Sequence, residues 1–169
     1  RSLQSAAFGQ RGIGRFARSA LEATREIAGD DLVTLIVDPG LSLLPTELVG
    51  DCRTVRWIKN PAQYGVLIQP SPMTHSPAPL IPLLHSPANS LAVVFDFIPL
   101  HFPTIYLKNA AERAEYLACL DALALYSAFV CISNTVRSEL PQVLGLAPDD
   151  LRLGAAQIAW PRGTWRAEE

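Results

Sequence analysis

Short, almost unbroken apolar runs alternate along this chain with longer stretches of mixed polarity. Residues 32–37 (LVTLIV) form a β-branched run closed by Asp38-Pro39-Gly40, the pattern of a buried strand followed by a turn. Comparable runs at 54–58, 64–69, 91–97, 129–133 and 151–158 are predicted strands. Because they are apolar throughout rather than at alternate positions, they predict a parallel sheet covered on both faces.

Between the runs the spacing becomes helical. Over 14–28, Phe16, Ala17, Ala20, Leu21, Thr24 and Ile27 recur on one side, while Arg18, Glu22, Arg25 and Glu26 take the other, and Gly29 supplies the stop. A longer helix is predicted from Asn109, whose pairing with Glu112 is an N-x-x-E variant of the capping box, to about residue 127. Its Tyr116, Leu117, Leu120, Leu123 and Ala124 are expected to pack on the sheet. A third helix starts near Asn134, is interrupted by Pro141 and ends at Gly145.

The predicted fold is α/β: a Rossmann-like, doubly wound, mainly parallel sheet with helices on both faces, since right-handed crossovers leave few alternatives. Such a fold carries a central strand ahead of its first helix, yet only residues 1–4 precede the small polar loop of 5–11. The expected organisation is one domain over residues 1–158 with its first strand truncated. Residues 159–169 are expected to be a tail or the start of a linker, both ends being cut from a longer protein.

Composition narrows the class. With 169 residues, 49% apolar and 18% charged, the chain can bury enough surface to offset its conformational entropy, which excludes disorder. Fourteen basic against 16 acidic residues, a net charge of −2, disfavour a duplex-binding module, which needs a basic excess. Residues 60–95 carry no formal charge, which raises the question of a membrane span. Seven prolines (61, 70, 72, 77, 79, 82 and 87) answer it, because each removes a donor from a helix that must satisfy its own backbone. The stretch reads as two buried strands joined by a proline-rich connection. The start has no initiator Met and no apolar signal core, and the odd set Cys52, Cys119 and Cys131 lacks a C-x-x-C spacing, so reduced thiols in a cytoplasmic setting are expected.

Three constellations can carry chemistry. The first is Gly12-Ile13-Gly14-Arg15-Phe16-Ala17 at a predicted helix start, where glycines permit close backbone approach and the unpaired N–H groups attract an anion. Arg15 and Arg18 oppose the helix dipole there, which points to a nearby negative charge. The same residues fit G-x-G-x-x-A, and Asp38 ends the next strand where a ribose-binding acid belongs, so an oxidoreductase binding NAD(P) or flavin is the alternative. Against it, the residues before the first glycine, Phe8-Gly9-Gln10-Arg11, are not a strand.

The second is Phe95-Asp96-Phe97-Ile98-Pro99-Leu100-His101 at the carboxyl end of a predicted strand, where open α/β sheets bind ligands. Asp96 can orient a hydroxyl or act as a base, and His101 can titrate near neutrality; the plain alternatives are a turn cap and a surface residue. The third is Ser133-Asn134-Thr135, which either caps a helix or meets a ligand. His75 and His85 have no partner at ligand spacing, so no metal is expected.

The order Gly12-Ile13-Gly14-Arg15, then Asp96-Phe97-Ile98-Pro99-Leu100, then Ile132-Ser133-Asn134 with Ser138-Glu139-Leu140, resembles the amino-terminal half of family 4 glycosyltransferases, over residues 3–158. Those are retaining enzymes of the GT-B architecture, with two facing Rossmann-like domains. The resemblance implies transfer of a sugar from a nucleotide-sugar donor to a saccharide or lipid-linked acceptor, as in bacterial polysaccharide assembly, without metal or cofactor. The setting it implies is the cytoplasm, with peripheral contact at the inner face of the membrane.

By that match Gly12, Gly14 and Arg15 face the donor phosphates, the helix start stabilises the leaving diphosphate, and Asp96 lies near the reacting sugars. Phe95, His101, Ser133 and Asn134 are expected to line the substrate. Many members have His where this chain has Phe95, whose ring can contact a sugar but has no group to accept a proton. The resemblance also implies a carboxyl-terminal nucleotide-binding domain with an E-x7-E pattern, without which the chain is expected to be inactive. An α/β interaction module without catalysis is the remaining alternative.

Overall fold

In the computed structural model, residues 3–4, 12–38 and 40–147 are described. The predicted strand at 151–158, the tail at 159–169 and the loop at 5–11 lie outside them. In chain order the elements are α1 (Gly12–Ala28), β1 (Thr34–Ile36), α2 (Thr46–Val49), β2 (Arg53–Val55), β3 (Val66–Gln69), α3 (Ile81–Leu84), β4 (Asn89–Val94), α4 (Ile98–His101), α5 (Pro103–Tyr106), α6 (Ala110–Leu123), β5 (Ala128–Cys131) and α7 (Asn134–Leu144). The chain is α/β, and every strand pairing is parallel. The strands form two short sheets, β1-β2 and β3-β4-β5.

The three-stranded sheet carries the core. Ala92, Val94, Phe129 and Cys131 pack with Leu83 and Leu84 of α3, Ala122 and Leu123 of α6 and Leu140 of α7. Its register is pinned at the amino end of β4, where Ser90 and Ser127 exchange main-chain and hydroxyl hydrogen bonds. The two-stranded sheet is built differently. No residue of β1 or β2 is fully buried, and in β3 only Leu67 is, while Val66 is 59% and Ile68 40% exposed. The expectation of strands buried on both faces therefore holds for β4 and fails for β1, β2 and β3. β1 and β3 border, together with α1, an open slot of about 940 Å³. Ile27, assigned to the packed side of α1, is 87% exposed.

Local signals fared better than boundaries. Asn109 caps α6, its Oδ1 accepting from the Glu112 N–H, and the Glu112 carboxylate accepts from the Lys108 N–H. The buried stripe of α6 is Tyr116, Cys119, Ala122 and Leu123, whereas Leu117, expected to pack, is 54% exposed. Pro141 does not interrupt its helix: α7 runs through it to Leu144 and ends at Gly145 in the left-handed region, φ 64°. Pro141 is itself buried, so packing offsets the hydrogen bond its ring removes. The strands are shorter than their apolar runs, and residues 30–32 form a turn of 3₁₀ helix rather than the start of β1.

A clasp joins the end of α1 to the segment leading into β2. Arg25 donates to both carboxylate oxygens of Asp30 (2.8 and 2.6 Å) and to the Leu48 carbonyl, and the Asp51 N–H donates to Asp30. Gly50 lies under this clasp at φ 50°, ψ −135°, and a Cβ there would strike the Arg25 guanidinium. Gly50→Ala is expected to lose about 1–3 kcal/mol from the backbone conformation alone. Urea unfolding of the variant checks this, and an unchanged midpoint would mean that the turn relaxes freely.

Candidate functional site

The carboxyl ends of β4 and β5 bring two of the three predicted constellations together. Ala92, Val93 and Val94 of β4 pair with Phe129, Val130 and Cys131 of β5, so the residues that follow each strand emerge side by side. Asp96 ends the β4 segment. Its Oδ1 accepts from the Ile98 N–H at 3.0 Å and opens α4, leaving Oδ2 without a partner among the described residues. The turn cap is thus real, and it uses half of the carboxylate.

At the last residue of α4, the His101 Nε2 is hydrogen-bonded to Glu139 Oε1 on α7. The imidazole is about half exposed and the glutamate mostly buried (56% and 21%). With Nε2 held by Glu139, Nδ1 is the ring nitrogen without a hydrogen-bond partner among the described residues. A carboxylate behind an imidazole fixes its orientation and its tautomer. His101 is therefore more than a surface residue.

A third element converges from α6. Tyr116 is 7% exposed, and its Oη is buried with no hydrogen-bond partner among the described residues. Burial first, and then the negative charges of Asp96 and Glu139, push its hydroxyl far above the usual phenol range. It stays protonated and is a donor awaiting an acceptor. Asp96, His101, Glu139 and Tyr116 form one cluster drawn from three helices and a strand end.

The glycine-rich start of α1 adjoins this cluster through aromatic contact. Phe16 meets Phe95 edge to face, with ring centroids 5.3 Å apart and planes at 87°. That contact ties the first turn of α1, with Gly12, Gly14 and Arg15, to the residue before Asp96. Gly14 is buried, while Gly12 and Arg15 are exposed, and a Cβ on Gly12 would meet nothing within 4 Å. Phe95 is half-buried and occupied by its aromatic partner.

Ser133 is a helix cap, its Oγ accepting from the Val136 N–H at 3.2 Å, so its hydroxyl serves α7 first. Asn134 is exposed at the first position of α7, and its carbonyl accepts from Ser138 Oγ. Asp38, the ribose-binding candidate of the dinucleotide alternative, turns its Oδ1 onto the Gly40 N–H. Cys52, Cys119 and Cys131 are buried thiols, and none forms a disulfide.

Sequence reasoning missed Tyr116 and Glu139 as members of a site. Tyr116 fell on an apolar helical stripe, and the only signal was that a stripe tyrosine needs a partner for its hydroxyl. Glu139 lies 38 residues from His101, and only the β4–β5 pairing makes them neighbours.

Burial raises the Tyr126 hydroxyl and the Cys52 and Cys131 thiols as well. A raised acid ionises in the unfolded chain first. Its stabilising contribution is complete below the unfolded value, about 8.5 for thiols and 10 for phenols, and is lost as pH rises beyond it. Stability is expected to hold through neutrality and to fall above about pH 10 by up to about 1.4 kcal/mol per pH unit for each tyrosine. Urea midpoints against pH for the wild type and Tyr126→Phe measure this, and parallel curves would refute it.

Among the described residues no group of three His, Cys, Asp or Glu side chains is placed to hold a metal ion, and no helix is long and apolar enough to cross a membrane. Comparison with protein-family models, curated proteins and solved structures finds no match to this chain.

Proposed function

We propose that this chain is the acceptor-side, Rossmann-like half of a GT-B sugar transferase, acting on a nucleotide-sugar donor and a saccharide or lipid-linked acceptor. The observation that carries the reading is the contact of Phe16 with Phe95, which joins the glycine-rich start of α1 to Asp96 at the carboxyl end of β4. An anion-attracting helix start next to a carboxylate and an imidazole is what transfer from a sugar diphosphate needs: stabilisation of the leaving diphosphate and handling of an acceptor proton.

On this reading Gly12, Gly14 and Arg15 border the diphosphate. Asp96 Oδ2 and His101 Nδ1 meet acceptor hydroxyls, Glu139 holds the imidazole, and Tyr116 Oη donates to a sugar oxygen. Ser133 holds the start of α7, and Asn134 borders the same edge. The nucleotide itself belongs to a second domain, so the chain works as part of a longer cytoplasmic enzyme.

The test is an NMR titration of the labelled chain with oligosaccharides, then with NAD(P)H and flavin. Saccharide-induced shifts at residues 95–101 and 133–139 are expected. Shifts caused by a dinucleotide at residues 12–16 and 38, with none from saccharides, would replace this reading with the oxidoreductase one.

A further inference from the structure

The side chains gathered past the carboxyl end of β4 hold more hydrogen-bond acceptors than the chain itself fills. Asp96 Oδ1 caps the Ile98 N–H and Glu139 Oε1 is bonded to His101 Nε2, which leaves Asp96 Oδ2 and Glu139 Oε2 without partners among the described residues. An ionised carboxylate only accepts, so Nε2 is the donor in its bond to Glu139, and the neutral imidazole keeps Nδ1 as a third free acceptor. Against these stands one free donor, the Tyr116 hydroxyl. It is buried and unpartnered among the described residues, and it lies near enough to Asp96 and Glu139 to feel both charges.

Positive charge is short here as well. Among the described residues no lysine or arginine forms an ion pair with Asp96 or Glu139, and the Glu139 side chain is 21% exposed. Asp30 shows what the chain does elsewhere: covered to a similar degree, it is matched by both arms of Arg25. A partly covered carboxylate loses solvation, and a cation restores what it loses. A hydroxyl offers one donor and no charge, whereas an ammonium offers three donors, no acceptor and the missing charge.

We infer that the ligand seated here carries an ammonium on the carbon next to a hydroxyl, the arrangement of an amino sugar. The ammonium donates to Asp96 Oδ2 and Glu139 Oε2. The neighbouring hydroxyl accepts from Tyr116 Oη and donates to His101 Nδ1. Each carboxylate oxygen has two lone pairs, so Asp96 Oδ2 can serve an acceptor hydroxyl at the same time. N-acetylation would remove the charge and leave an amide with a single donor. The saccharide part of this assignment rests on the sugar-transfer reading, and the ammonium names the acceptor within it.

Isothermal titration of the 169-residue chain tests it with three probes: a glucosamine oligosaccharide with its amines protonated, its N-acetylated counterpart of equal length, and diaminobutane. The amino oligosaccharide is expected to bind about tenfold or more tighter than the N-acetylated one, the scale of a hydrogen bond to a charged group. Glu139→Gln and Asp96→Asn keep the bonds to His101 and Ile98, because an amide carbonyl accepts as a carboxylate does. Each is expected to lower that preference by about threefold or more, with circular dichroism showing that the variant folds. Equal binding of the two oligosaccharides overturns the inference and leaves the sugar-transfer reading standing, whereas binding of neither overturns both. Diaminobutane bound as tightly as the amino oligosaccharide reveals a general amine site and overturns the amino-sugar assignment. A preference that survives in both variants places the ammonium elsewhere and overturns it too.

Discussion

Phe129→Ala is expected to be the most damaging substitution in the core, lowering stability by about 3–5 kcal/mol. Phe129 is completely buried at the second position of β5, directly opposite Ala92 of β4, which is buried to the same degree. The large ring fills space that the small partner leaves, and with β4, α6 and α7 packed around it neither neighbour can move in to close the void. A domain of this size has about 5–15 kcal/mol in total, so the loss is a large fraction of it. Thermal unfolding should shift downward by about 10 °C or more. The comparison that isolates burial is Leu117→Ala on the exposed side of α6, expected to change stability by less than about 0.5 kcal/mol. A Phe129→Ala variant as stable as Leu117→Ala would mean that the three-stranded sheet is not the core.

If the sugar-transfer proposal holds, Asp96→Asn is expected to reduce transfer by about 100-fold or more, measured with the chain joined to its proposed second domain, while leaving the fold intact. The two effects separate because the two carboxylate oxygens have separate roles. Oδ1 caps the Ile98 N–H, and the asparagine carbonyl accepts that hydrogen bond equally well. Oδ2 has no partner among the described residues, and it is the negative charge there that the substitution removes. Stability should change by less than about 1 kcal/mol. Turnover and unfolding free energy are measured on the same preparation. Activity that falls only in proportion to the folded fraction would reduce Asp96 to a turn cap and leave the sugar-transfer proposal without its central carboxylate.

The element types were legible in the sequence because they rest on local rules. The Asn109 cap, the Gly145 stop and the apolar runs of β1 to β5 each announce themselves within a few residues. What could not be read was burial that depends on a distant neighbour. Val66 and Ile68 look like core residues in sequence, yet they are exposed and line the slot beside β3. Pro141 looks like a helix breaker, but its burial against the core outweighs one lost hydrogen bond. At the site, Asp96 and His101 were visible from their place after a strand. Their partners Glu139 and Tyr116 come from helices that only the folded sheet brings near.

Just past β1 lies the buried side chain of Gln4. Its amide presents a carbonyl and an N–H side by side, and it uses both on the N–H and C=O of a single residue, Asp38. A side chain thereby imitates one rung of a β-ladder, with the donor and acceptor pairing that a neighbouring main chain would make. A rung supplied by a side chain cannot be extended: the next position along has no second amide to offer. Gln4 therefore acts as a terminator as much as an anchor. It closes the edge of β1 at Asp38, two residues past the last strand residue, Ile36.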